Sequence, residues 1–192
     1  MPDLLPFPDD FAPDLHISEM FRRNAMTQLD CASWATTQSA DKLALHSIAV
    51  ATELLLKSHL LRTASTDAWN RVQIGHDLDK AARYAERAGL NLPSRLALVV
   101  DQIHHYFQRG GFQRDPRAWP AGFADDACDI VRELAQAVYN HARQDAHGSL
   151  SENDHTPRSI ALILGPAAGL TPSTRKGSDY ASVPPLPLTP TR

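Results

Sequence analysis

The feature that most constrains the fold is a long apolar helix pattern over residues 42–62. Its large apolar side chains occupy every face of a helix rather than a single stripe: Leu43, Leu45, Ile48, Val50, Leu54, Leu55, Leu56, Leu60 and Leu61. A helix that is apolar all round is packed on several sides. The pattern therefore predicts the central helix of a bundle, with Asp41 as its N-cap.

Four further segments have apolar residues in steps of three and four, which is the period of an amphipathic helix. The helix before the central one is expected to start near Asp14 or Ser18. After the central helix, one helix is expected to start at Leu78, the next to have Pro93 in its first turn, and the last to start at Phe123. Gly89 is placed to stop the third of the five helices, and residues 63–75 are expected to form a loop. No segment over residues 14–147 has the alternating pattern and turn residues of strands. The chain is thus predicted to form an all-α, five-helix bundle.

Residues 148–192 differ from the rest in composition, because they hold seven of the fourteen prolines, many Ser and Thr, and few aromatic residues. Such a segment buries too little apolar surface to offset the entropy that it loses on ordering. The sequence therefore predicts a disordered tail after a single helical domain over residues 14–147. A short apolar patch at residues 160–164 leaves a docking peptide open as an alternative.

Composition narrows the classes of function. The formal charge of −3 over 192 residues gives no basic surface of the kind typical of general nucleic-acid binding, although a local cluster for RNA stays open. The two cysteines lie far apart, which excludes a disulfide scaffold and the common zinc-finger spacings. No run approaches about 18 apolar residues, and the first residues do not resemble a signal peptide, so a cytoplasmic protein without a membrane span is expected. The sequence contains no cofactor or metal motif.

Two of the predicted helices contain distinctive sequence motifs. Residues 46–61 read HSIAVATELLLKSHLL, and after a polar loop the letters GHDL open the next helix at residues 75–78. These motifs resemble the HEPN (higher eukaryotes and prokaryotes nucleotide-binding) family over roughly residues 20–145. The letters HHYF at residues 104–107 and the Arg-Pro loop after them resemble one branch of that family. There the loop often reads Arg-Tyr-Pro, whereas this chain has Arg114, Asp115 and Pro116.

The resemblance implies a helical domain that commonly forms homodimers. Some members of the family are metal-independent endoribonucleases. Others bind nucleotides, sit beside a small nucleotidyltransferase in toxin–antitoxin pairs, or have no demonstrated activity. The partners that the resemblance implies are therefore a second copy of the chain, RNA or a nucleotide, or a protein such as a small nucleotidyltransferase.

The ribonucleases of the family resemble one another in an Arg that is followed, after four to six residues, by a His. Arg71 and His76 match this spacing, and Asn70 beside them is a candidate substrate-binding residue. A His can accept the proton of a ribose 2′-hydroxyl near neutral pH, and an Arg can stabilise charge on the phosphoryl oxygens. The alternative is structural: His76 organises the loop, and Asp77 is favoured at the positive end of the next helix.

A second Arg–His pair, Arg143 and His147, has one residue too few between its members. On a helix the two side chains would share a face, so both are candidate substrate-binding residues. The alternative for them is a solvated last turn. Glu53 and Lys57 stand four residues apart in the favourable order, and they are predicted to form a structural ion pair that joins the central helix to a neighbour.

These residues leave three hypotheses about the function open. The first is a protein of RNA or nucleotide biology, either a metal-independent endoribonuclease that depends on dimerisation or a toxin–antitoxin component. The second is a non-catalytic helical module that binds a partner protein. A helical adaptor in which the motif letters coincide by chance is the third hypothesis. A cleft with convergent polar groups around Arg71 and His76 would favour the first, and an exposed apolar patch would favour the second.

The predicted tail gives a first test. Truncation after about Gly148 removes only residues whose composition indicates a tail, and chain ends without buried contacts tolerate removal. We expect the helicity and the melting temperature to stay nearly unchanged in circular dichroism. A loss of more than a few degrees would mean that the apolar patch at residues 160–164 packs on the bundle.

Overall fold

The structure is a computed structural model that describes residues 4–108, 111–112 and 119–151, with side chains up to residue 144 in the last stretch. Within these ranges it contains six helices and no strand: α1 (Leu15–Thr37), α2 (Asp41–Thr63), α3 (Asp67–Gln73), α4 (Leu78–Arg87), α5 (Leu96–Gln108) and α6 (Phe123–Ser151). The all-α class is confirmed, with one helix more than the five predicted. The chain divides into two units, Met1–His155 and Thr156–Arg192. The described residues all belong to the first unit, so the predicted tail lies outside them from residue 152 onward.

Helix α2 is the central element, as its apolar pattern predicts. It contacts α1, α4, α5 and α6, and fifteen of its 23 residues are buried. Leu55, Leu56 and Leu60 are fully enclosed. The helix is less buried near its start, where the side chain of Leu43 is 47% exposed. Neither α2 nor another helix of the described chain is long and apolar enough to cross a membrane.

Helix α1 packs along α2 more extensively than any other described pair of helices. The Asp14 side chain caps α1 by accepting a hydrogen bond from the Ile17 amide at 2.9 Å, which is the helix start predicted from the sequence. The Asp14 amide donates to the Leu61 carbonyl at 3.0 Å. The start of α1 is thereby fixed to the end of α2, and the two helices form an antiparallel hairpin.

Two details of the predicted helix boundaries are wrong. Asp41 is the first residue of α2 rather than its N-cap; the cap position is Ala40, which makes no side-chain bond. The Asp41 carboxylate instead lies in the first turn, where the helix dipole favours a negative charge. Pro93 precedes α5 in a turn in which the Leu96 amide donates to the Pro93 carbonyl at 2.9 Å, so it is not in the first turn of the helix.

The predicted loop over residues 63–75 contains a helix, α3, which has only seven residues. Thr66 caps it by accepting a hydrogen bond from the Trp69 amide at 3.2 Å. Seven residues are too few for an apolar period to repeat, so the sequence pattern could not separate α3 from a loop. The stop predicted after α4 is confirmed: Gly89 has a φ of +92°, and the Leu90 amide donates to the Ala85 carbonyl at 3.0 Å.

The central position of α2 gives a stability prediction. Leu55 is 0% exposed, so Leu55→Ala should lower the free energy of unfolding by about 2–5 kcal/mol. Leu98→Ala is the matched control, because the same atoms are removed from a side chain that is 68% exposed, and a surface change usually stays within about 0.5 kcal/mol. Urea denaturation measures both variants. Equal losses would contradict the central position of α2.

Candidate functional site

A buried ion pair on α2 is the starting point of the candidate site. Lys57 Nζ lies 2.5 Å from Glu53 Oε1, and only about a tenth of each side chain is exposed. The two residues are four apart, so they lie one turn from each other on the same face of α2. Taking two charges out of water is costly unless each finds a partner and further hydrogen bonds. The structure thus contains the predicted ion pair, and its remaining hydrogen bonds show what it holds.

The pair holds the turn between α3 and α4. Lys57 Nζ donates to the Gly75 carbonyl at 2.6 Å, and His76 Nδ1 lies 2.9 Å from Glu53 Oε2. Gly75 has a φ of +57°, in the left-handed region where a glycine costs least. Asp77 then caps α4 by accepting a hydrogen bond from the Lys80 amide at 2.9 Å. Charges from the middle of α2 therefore fix both the turn and the ring of His76.

The exposure of His76 contrasts with the burial of its partner. Its side chain is 74% exposed, whereas that of Glu53 is 10% exposed. Because a carboxylate only accepts hydrogen bonds, the contact places the proton of a neutral His76 on Nδ1 and leaves Nε2 unprotonated. A His with one nitrogen fixed by a carboxylate and the other facing water has the arrangement of a general base.

A cleft of about 430 Å³ opens beside this His–carboxylate pair. Among the described residues, those that line it are His46, Val50, Glu53, Leu54, His76 and Phe107. The Phe107 ring lies between two imidazoles, with its centroid 5.7 Å from that of His76 and 6.2 Å from that of His46. The two histidines are therefore at most about 12 Å apart at one apolar wall. We call this space the His76 cleft.

The sequence interpretation did not assign a role to His46 or Phe107. A signal for His46 existed, because His46, Val50, Glu53 and Leu54 recur at the period of one helix face. Phe107 lies on α5, and only the packing of α5 against α2 brings it to the cleft. The Arg-Pro loop that resembles one branch of the HEPN family lies outside the described residues.

The other member of the predicted catalytic pair, Arg71, lies apart from the lining of this cleft. Its side chain is 78% exposed and forms an ion pair with Asp67 at 2.9 Å along α3. Asn70, the adjacent candidate for substrate binding, is fully buried and accepts a hydrogen bond from the Ser65 hydroxyl at 2.8 Å. Asn70 therefore stabilises the α2–α3 connection, and a substrate on the surface does not reach it.

Arg143 lines a different cleft of about 170 Å³, against α1, α2 and α6. Its guanidinium lies over the ring of Tyr139, 5.8 Å from the centroid. His147 is one turn further along α6, and its side chain lies outside the described residues. Of the two Arg–His candidates, His76 lies at one cleft and Arg143 at the other.

Comparison with models of protein families, with curated proteins and with solved structures finds no match to the chain. The described residues contain no group of three or more His, Cys, Asp and Glu side chains placed to hold a metal ion. The geometry of the two clefts is therefore the basis on which a function is proposed.

The buried ion pair gives a second stability prediction. Lys57→Met should lower the free energy of unfolding by about 3–5 kcal/mol, because it leaves the Glu53 carboxylate buried without its cation. Arg71→Met is the matched control, since it removes a cation from an exposed pair with the same four-residue spacing and should cost about 0–1 kcal/mol. Chemical denaturation at neutral pH measures both. Similar small losses would mean that the Glu53 carboxylate has enough other partners.

Proposed function

We propose that the protein acts in RNA biology as a metal-independent endoribonuclease whose reaction takes place at the His76 cleft. The observation that carries the proposal is the contact of the exposed His76 ring with the buried Glu53 carboxylate at 2.9 Å. The resemblance of residues 46–61 and 75–78 to the HEPN family supports the same class of reaction.

The proposed reaction needs only proton transfer. His76 Nε2 takes the proton of a ribose 2′-hydroxyl, and the oxygen attacks the adjacent phosphorus while the bond to the 5′-oxygen breaks. The leaving oxygen takes a proton from His46, so the products carry a 2′,3′-cyclic phosphate and a 5′-hydroxyl. Glu53 stabilises the imidazolium that forms on His76, and Lys57 keeps Glu53 oriented. Histidine chemistry of this kind proceeds without a metal ion.

The lining of the cleft suits an RNA nucleotide. The Phe107 ring offers a base a surface for stacking, a contact that contributes about 1–3 kcal/mol per base. Arg71 remains the candidate for stabilising the phosphoryl oxygens. Its ion pair with Asp67 is exposed, and exposed pairs contribute only about 0–1 kcal/mol, so a phosphate can displace Asp67 at little cost.

The wider biological setting of the proposal comes from the family resemblance. We place the protein in the cytoplasm, as a homodimer with a nearby small nucleotidyltransferase as a candidate partner in a toxin–antitoxin pair. The alternative is a non-catalytic helical module that binds a partner protein. The Lys57 bond to the Gly75 carbonyl favours this alternative, since fixing the turn before α4 is by itself a sufficient use for the ion pair.

The activity is tested with single-stranded RNA in the presence of EDTA. We expect cleavage with 2′,3′-cyclic phosphate ends. His76→Asn should abolish it, because Asn retains a donor for Glu53 but has no basic nitrogen. His46→Ala should slow it by about 10²–10⁴-fold, the usual contribution of a general acid. His16→Ala is the matched control, since His16 is an exposed histidine on α1 and should leave the rate unchanged.

Circular dichroism of each variant separates loss of activity from loss of folding. Wild-type protein that cleaves no RNA while His76→Asn melts at a lower temperature would favour the structural alternative. Cleavage that survives His76→Asn would rule out His76 as the base and direct attention to Arg143 and His147.

A further inference from the structure

Three arginines meet at the smaller cleft, against α1, α2 and α6. Arg22, Arg62 and Arg143 all line it, and Glu19 is the one carboxylate among its described lining residues. Guanidinium groups present several N–H donors in a fixed plane that matches the oxygens of phosphate groups. We call this space the arginine cleft.

Each arginine is held in place by the protein. Arg22 donates to both oxygens of Glu19 through Nε and Nη2, at 2.7 Å each. Arg62 Nη2 donates to the Ala142 carbonyl at 3.2 Å, which ties α2 to α6. The Arg143 guanidinium lies over the Tyr139 ring, 5.8 Å from its centroid, which is within the range of a cation–π contact. The cationic groups are therefore oriented before a ligand arrives.

The two serines that line the arginine cleft use their hydroxyl groups in hydrogen bonds between α1 and α2. The Ser18 hydroxyl donates to the Ser58 carbonyl at 2.8 Å, and the Ser58 hydroxyl donates to the Ser18 carbonyl at 2.9 Å. These reciprocal bonds join α1 to α2 beneath the arginines. Recognition of an anion therefore falls to the arginines that line the cleft.

Charge and size define the class of ligand. The hydrogen bond from Arg22 is the largest of the contacts that lower the pKa of Glu19 to about 2, so Glu19 is ionised at neutral pH. Three guanidinium groups and one described carboxylate line the cleft, which favours an anionic ligand. A phosphate monoester carries about −1.5 to −2 charges at pH 7. The cleft of about 170 Å³ has room for a phosphate group.

The geometry points to a binding site for a phosphate monoester group in the arginine cleft, formed by Arg22, Arg62 and Arg143. The group enters alone as inorganic phosphate or as the terminal phosphate of a nucleotide whose sugar and base remain outside. None of the residues that line the His76 cleft lines the arginine cleft. The site therefore stands independently of the proposed ribonuclease activity.

Isothermal titration calorimetry of the full 192-residue chain tests the site at constant ionic strength. We expect saturable binding of inorganic phosphate and of a nucleoside 5′-monophosphate, and no binding of the unphosphorylated nucleoside. Equal affinities for the two phosphates would mean that recognition ends at the phosphate group. Tighter binding of the nucleotide would identify it as the preferred source. The absence of saturable binding for both would overturn the proposal.

Variants of two arginines separate a site from general charge attraction. Arg143→Gln should weaken phosphate binding by about tenfold or more, because it removes a charge-assisted contact. Arg23→Gln is the matched control: it loses the same charge from α1 and also pairs with Glu19, at 2.9 Å, but does not line the cleft. Both side chains are exposed, so melting temperatures should stay close to wild type.

Equal weakening by Arg143→Gln and Arg23→Gln, or no weakening by Arg143→Gln, would overturn the site. The arginine cleft shares no described lining residue with the His76 cleft. Loss of RNA cleavage and loss of phosphate binding are therefore separate results, and each proposal can fail while the other stands.

Discussion

The buried pair of Glu53 and Lys57 is the interaction on which the arrangement of the candidate site depends. Two charges in the middle of a central helix are tolerated only where their remaining hydrogen-bonding capacity is used. Here it is used by the turn between α3 and α4, through the Gly75 carbonyl and the His76 ring. The buried ion pair, which is costly to the core, thus also positions the exposed ring of His76.

This arrangement explains why much of the fold could be predicted from the sequence. The apolar pattern of α2, the cap at Asp14 and the stop at Gly89 are local signals, readable over one or two helical turns. The Glu53–Lys57 pair is equally local, because four residues on a helix are always neighbours. Helix α3 could not be read, since seven residues are shorter than two full repeats of the apolar period.

The candidate site depends on contacts that no local pattern contains. His76 meets Glu53 across 23 residues of chain, and Phe107 reaches the same cleft from α5. The family resemblance indicated Arg71 and His76 as a pair by their spacing. In the structure they make contact with different carboxylates, Arg71 with Asp67 and His76 with Glu53. Spacing along the chain indicated the turn before α4, and only tertiary packing could give the partner of each side chain.

The two clefts differ in what their side chains can do chemically. A guanidinium stays protonated throughout the physiological range, so the three arginines of the arginine cleft can bind an anion but cannot exchange protons with it. An imidazole changes its protonation near neutral pH, and the His76 cleft holds two of them beside an aromatic ring. The proposed proton transfer therefore belongs to the cleft beside α5, and the proposed recognition of negative charge to the arginines beside α1 and α6. Because α2 lines both clefts, its rigid packing fixes where each of them lies on the bundle.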